Sequence, residues 1–95
     1  MVSMNEKEWA KIFKALGNEN RIKIIELLSH KHKMSVSEIK RALGISFKWT
    51  SVNLNNLKRV GILESEGRKG QVFYYINPKI PGSARRALRL FLRRQ

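Results

Sequence analysis

The stretch that most constrains the fold runs from Ser35 to Gly61, SVSEIKRALGISFKWTSVNLNNLKRVG. Ser35 and Glu38 stand at the S-x-x-E spacing, in which a hydroxyl and a carboxylate cap the first free N–H groups of a helix. Val36, Ile39, Ala42 and Leu43 then give the following turns one apolar side. Gly44 ends that pattern, because glycine adopts the left-handed conformation that closes a helix. After the short turn Gly44-Ile45-Ser46 a second helical pattern begins, with Thr50, Leu54 and Leu57 at i, i+4 and i+7. Gly61 breaks it. Two short amphipathic helices joined by so tight a turn read as a helix-turn-helix.

The flanking segments extend this unit. Asn5 caps a first helix, NEKEWAKIFKAL, with Glu8 three residues on, and Trp9, Ile12, Phe13 and Leu16 form its stripe up to Gly17. Asn18 caps a second, ENRIKIIELLS, with Ile22, Ile25 and Leu28 facing the core and Ile24 and Leu27 widening the stripe. A polar break, HKHK, leads to Ser35. Beyond Gly61, ILESEGRKGQVFYYIN has two β-prone runs around the tip Gly67-Arg68-Lys69-Gly70, which predicts a hairpin. Val72, Tyr74 and Ile76 share one of its faces, Phe73 and Tyr75 the other. Pro78 and Pro81 bracket a linker. Ser83 caps a last helix, amphipathic and basic, over residues 83–95, with Ala84, Ala87, Leu88 and Phe91 as its stripe. The order helix, helix, helix, turn, helix, hairpin, helix predicts a mainly α fold with a small β-hairpin. That is a winged helix-turn-helix, as a single domain over residues 1–95.

Charge narrows the partners. Twenty Lys and Arg face seven acids, for a net +13. From Gly67 onward there is no acid, but Arg68, Lys69, Lys79, Arg85, Arg86, Arg89, Arg93 and Arg94 are present. Such a surface attracts polyanions. There is no cysteine, so disulfides and thiolate metal sites are excluded. His30 and His32 form an H-x-H without two further ligands nearby, and a solvated turn is expected there, with no metal and no cofactor. Asp is absent, so a Ser-His-Asp arrangement is impossible, and no glycine-rich nucleotide loop is present. The chain is expected not to be an enzyme. No apolar run approaches the ~18 residues of a membrane span, and no signal-peptide pattern precedes the first helix. The expected location is cytoplasmic and nucleoid-associated.

Four blocks in order, FKALGNENRIKIIELL, MSVSEIKRALGIS, SVNLNNLKRVGILESE and GRKGQVFYYIN, spanning Phe13 to Asn77, resemble the ArsR-like winged-helix regulators. The resemblance implies a homodimeric, repressor-type DNA-binding protein whose first and last helices build the dimer interface. The helix beginning near Ser46 enters the major groove, and the wing reaches backbone or minor groove. Carried over by position, the reading residues fall on Phe47, Lys48, Trp49, Ser51, Val52 and Asn53, and the wing contacts on Arg68, Lys69 and Gln71. Two departures stand out. Many such regulators sense metal through a cysteine-containing motif on the helix that here reads VSEIKRAL, and that site cannot exist here in its usual form. Phe47, Trp49 and Val52 are apolar where polar reading groups are common.

These readings yield specific expectations. Ser46, Phe47, Lys48, Trp49, Ser51, Val52, Asn53, Asn56, Arg68, Lys69 and Gln71 form the surface for double-stranded DNA. Asn53 is placed on the exposed side, where its amide is open to pairing with adenine, and Lys48 is open to donating to guanine, with a phosphate contact or a solvated side chain as the alternative for both. Ser51 is as well suited to a phosphate. Phe47 and Trp49 are open to three placements: core, thymine methyl or sugar contact, and protein interface. The expectation is that at least one is tucked inward, with Val52 against a thymine methyl. Arg21 is open to a phosphate contact or an internal ion pair. Trp9, Ile12, Phe13, Ala84, Ala87, Leu88 and Phe91 form the homodimer interface, with membrane-surface binding of the last helix as the lesser reading. The alternative to a sequence-specific regulator is an architectural or weakly specific DNA binder.

Overall fold

The computed structural model describes residues 4–80 and 82–93. Five helices, α1 Glu6–Leu16, α2 Glu19–Lys31, α3 Val36–Leu43, α4 Phe47–Arg59 and α5 Gly82–Leu92, surround three strands, β1 Met34–Ser35, β2 Leu63–Arg68 and β3 Gln71–Ile76. The expected winged helix-turn-helix is therefore present. Pro81, at the end of the expected linker, and Arg94 and Gln95, at the end of the expected last helix, lie outside the described residues.

Local chemistry sets most of the helix ends. The Asn5 side chain accepts from the Glu8 N–H at 2.9 Å and the Asn18 side chain from the Arg21 N–H at 3.2 Å. Ser35 and Glu38 form the complete reciprocal box, at 3.1 and 2.8 Å. The backbone N–H of Ser35 is the main reason the Glu38 carboxyl sits below its ordinary range, and the Ser35 hydroxyl adds to it. Gly44 closes α3 at φ 68°, in the left-handed region that favours glycine. Ser83 does not cap α5. The helix begins at Gly82, and Ser83 is its second residue.

The core is built from one side of every helix and the base of the hairpin: Ile12, Ile24, Ile25, Leu28, Ile39, Leu54, Leu57, Ile62, Leu63, Tyr74, Ala84 and Leu88 are among its buried members. The hairpin grows out of this core. Strands β2 and β3 pair antiparallel from Leu63↔Ile76 to Arg68↔Gln71, leaving Lys69-Gly70 as a two-residue turn. Both turn residues have positive φ, 50° and 76°, the conformation that matches the twist of paired strands. Strand β1, not anticipated from the sequence, adds to the other edge of β3 through Met34↔Tyr74 and Ser35↔Phe73. At the hairpin base the Asn77 side chain donates to the Gly61 carbonyl at 3.0 Å and accepts from the Lys79 N–H at 2.9 Å. Lys33 braces the wing by pairing with Glu66 and lying 5.3 Å from the Tyr75 ring centre.

Candidate nucleic-acid interface

Helix α4 is aimed by its buried seam. Thr50, Leu54 and Leu57 are fully buried, as expected. At about 100° per residue, Lys48, Val52, Asn55 and Arg59 lie opposite that seam, with Phe47 on one flank and Trp49 on the other. The Ser46 hydroxyl accepts from the Trp49 N–H at 3.1 Å and starts the helix. Ser46, Phe47, Lys48, Trp49 and Val52 are exposed, Ser51 and Asn56 half-buried.

Two expectations about this helix are corrected. Asn53 is not on the exposed side: it is only 5% exposed, about 70° from the centre of the seam. Its Nδ2 donates to the Trp49 carbonyl at 2.9 Å, and its Oδ1 accepts from Arg21 Nη1 at 3.1 Å. A buried amide engaged at both ends has little left to offer a base. Arg21 makes no internal ion pair among the described residues. Its Nε donates to the Ala15 carbonyl at 2.6 Å, and a longer bond reaches the Lys14 carbonyl at 3.5 Å. It ties the end of α1 to α4. The second correction concerns the aromatics. Neither is tucked inward: Phe47 is 58% and Trp49 57% exposed, with Val52 at 44%. The Lys48 ammonium sits 5.8 Å from the Trp49 ring centre.

Asn55 was missed by the sequence reading. The seam carries the signal, since Asn55 lies about 130° from its centre and is exposed. Its Oδ1 accepts a long bond from the Tyr74 hydroxyl, 3.5 Å, which links α4 to the wing. Burial raises the Tyr74 phenol pKa, keeping it a donor.

The wing tip carries Arg68, Lys69 and Gln71, all exposed. Together with Phe73, these residues line a cleft of about 340 Å³. A second cleft, about 210 Å³, runs between the start of α3, Phe47 and the wing residues Gln71 and Val72. From Ile39 to Leu63 there is no acidic residue, so α4 and the turn before it carry only positive side-chain charge.

The terminal helices divide their apolar residues differently from the expected interface. Ile12, Ala84 and Leu88 are buried in the protomer's own core, and Trp9, Ala87 and Phe91 are half-buried. Phe13, 62% exposed, stacks on Trp9 with ring centres 5.4 Å apart. Leu90, outside the expected stripe, is 67% exposed. Ile12, Ala84 and Leu88 are thus corrected from interface to core, because one helical stripe is needed to hold the helices onto the domain.

His30 and His32 are exposed at the end of α2. Among the described residues no group of three His, Cys, Asp or Glu is placed to hold a metal, and no helix is long and apolar enough to cross a membrane.

Residues 18–65 match the family model described as bacterial regulatory protein, arsR family. The chain is similar to the cadmium resistance transcriptional regulatory protein CadC of Listeria innocua, with 38% identity over 64 residues, 67% of this chain and 54% of that protein. It thus spans about half the length of the curated relative. In structure it is similar to HlyU from Vibrio cholerae, with a TM-score of 0.82 at 25% identity over 97% of this chain and 96% of that one. It also resembles the homodimeric winged helix-turn-helix DNA-binding domain from Mycobacterium bovis, with a TM-score of 0.77 at 26% identity over 96% of this chain and 86% of that one. With the helix-turn-helix, the basic wing and a family match across half the residues, the chain belongs to the ArsR family of bacterial regulatory proteins.

Proposed function

We propose that this chain is a repressor-type transcriptional regulator that binds double-stranded DNA as a homodimer. The observation that carries this reading is the outward face of α4, acid-free and standing beside an exposed Arg68-Lys69 wing tip. The first turns of α4 enter the major groove, as the second helix of such a unit does. Ser46, Lys48 and Ser51 supply donors there, and Arg68, Lys69 and Gln71 contact backbone or minor groove. The homodimeric DNA-binding domain from Mycobacterium bovis supports the assembly, and exposed Phe13 and Leu90 supply unspent apolar surface for it. The chain is not an enzyme, works in the cytoplasm on the nucleoid, and needs no metal for DNA binding.

A second reading, an architectural or weakly specific DNA binder, is favoured by the net +13 and by the apolar side chains on α4. Competition separates the two. A duplex selected from a random pool should outcompete unrelated DNA by ~10³ or more for a specific regulator. Equal competition assigns the architectural role, and no DNA binding at low salt removes both.

A further inference from the structure

We infer that α4 recognises thymine methyl groups, reading its site chiefly by apolar contact through Val52, Trp49 and Phe47. The inference rests on the DNA-binding reading above and names what that surface selects. It starts from which groups on α4 are free. Asn53, whose amide matches adenine, is held by Arg21 and the Trp49 carbonyl. In the first two turns the exposed or half-exposed polar side chains are Lys48 and Ser51, an ammonium and a hydroxyl, neither with the paired geometry that distinguishes one base from another; Asn55, one turn on, has its Oδ1 engaged by the Tyr74 hydroxyl. The same turns expose three large apolar side chains that do nothing for the core, Phe47, Trp49 and Val52. Val52 is at the middle of the outward face, Trp49 lies about 60° from it around the helix, and Phe47 lies about 140° from it, on the side toward the wing. On the Phe47 side the apolar surface continues across a shallow cleft to Val72 of the wing, itself 44% exposed.

The occupant follows from charge and shape. No acid lies between Ile39 and Leu63, Lys48 sits against Trp49, and Arg68 and Lys69 are exposed on the wing, which suits a polyanion. Three side chains are also far fewer than the ~20–30 residues per side of a stable protein interface. Within a DNA major groove the edges of guanine, cytosine and adenine are hydrogen-bonding groups, and the one apolar feature is the C5-methyl of thymine. An apolar face pressed on the other edges strips them of water without replacing the bonds. The same side chains therefore favour thymine and penalise the alternatives.

The experiment uses the full chain and duplexes that it selects from a random-sequence pool, resynthesised with deoxyuridine for every thymidine. This change removes the methyl and keeps every hydrogen bond. Each methyl touched is worth about fourfold in affinity, so two or three predict a loss of at least tenfold. Trp49→Ala with Val52→Ala, both at exposed positions, should lose most of the difference between the thymidine and deoxyuridine duplexes while unfolding at the unmodified temperature. If the unmodified chain holds both duplexes equally and both still outcompete random DNA, the inference is wrong and the DNA-binding reading stands. If the deoxyuridine loss persists undiminished in the double variant, the methyl acts through duplex shape and the inference is again wrong. If no duplex is bound, the DNA-binding reading itself has failed.

Discussion

Replacing Asn53 with alanine should unfold the protein more easily and leave base discrimination nearly intact. The change deletes the bond from Arg21 Nη1, 3.1 Å, and the bond to the Trp49 carbonyl, 2.9 Å. A bond to a charged group contributes about 1.5–3 kcal/mol and a neutral one about 1 kcal/mol. Arg21 keeps its 2.6 Å bond to the Ala15 carbonyl and stays partly in water, so the lower end of the first figure applies. Alanine's higher helix propensity returns about 0.5 kcal/mol. The net loss is about 2 kcal/mol, which for a domain of this size lowers the midpoint by about 10 °C. Thermal unfolding followed by circular dichroism, at one fixed protein concentration because a dimer's midpoint depends on it, measures the loss. Val52→Ala, on the outward face, should stay within about 0.5 kcal/mol of the unmodified chain. An Asn53→Ala protein as stable as the original, but unable to tell its selected site from random DNA, would refute the reasoning and return Asn53 to the groove.

Three further outcomes are expected. Phe13→Asp with Leu90→Asp should convert the proposed homodimer to monomers by light scattering without unfolding them, whereas Leu88→Asp should unfold the protomer; a dimer unmoved by the first pair would place the interface elsewhere. The carboxyls of Glu38 and Glu66 are both held below their ordinary value of 4.5, Glu38 by the Ser35 backbone N–H first and Glu66 by its bond to Lys33 first. Lowered carboxylates stabilise the fold above the unfolded-chain value and lose that effect as pH falls through the folded one, so Glu38→Gln and Glu66→Gln should flatten the decline in urea stability below pH 4.5; an unchanged decline would mean that neither bond persists in solution. Zinc or cadmium at a stoichiometric dose should change the DNA affinity of this chain by less than tenfold, and a larger shift would reveal a metal site.

What was legible in the sequence is what neighbours along the chain decide. The Ser35–Glu38 box, the Asn5 and Asn18 caps and the Gly44 stop each depend on residues three or four apart. The Thr50/Leu54/Leu57 seam oriented α4 correctly. Strand β1 was not legible, because two residues have no periodicity and Met34 becomes a strand only by pairing with Tyr74. Asn53 was misplaced because a polar residue reads as outward unless its partner is known, and that partner, Arg21, is 32 positions away. Its 3.6-residue phase relative to the seam was the available signal. Phe47 and Trp49 misled in the opposite sense. Aromatics read as inward, yet both are exposed. The places where pattern rules failed outward are those where the proposed interface lies, as expected when function and packing compete for the same helix.

The central claim is that α4 and the wing form one DNA-binding surface with divided roles. It is tested most directly by salt titration of DNA affinity for Arg68→Ala with Lys69→Ala, on the best selected duplex and on scrambled DNA. Removing one cation from a phosphate flattens the log K against log salt slope by about 0.9. In the proposed homodimer the double variant removes two cations from each of two wings, so it should take about 3.6 off the slope on both duplexes, weakening them alike and leaving their ratio unchanged. An unaltered slope would contradict the account, because the exposed wing tip would then not be touching DNA at all.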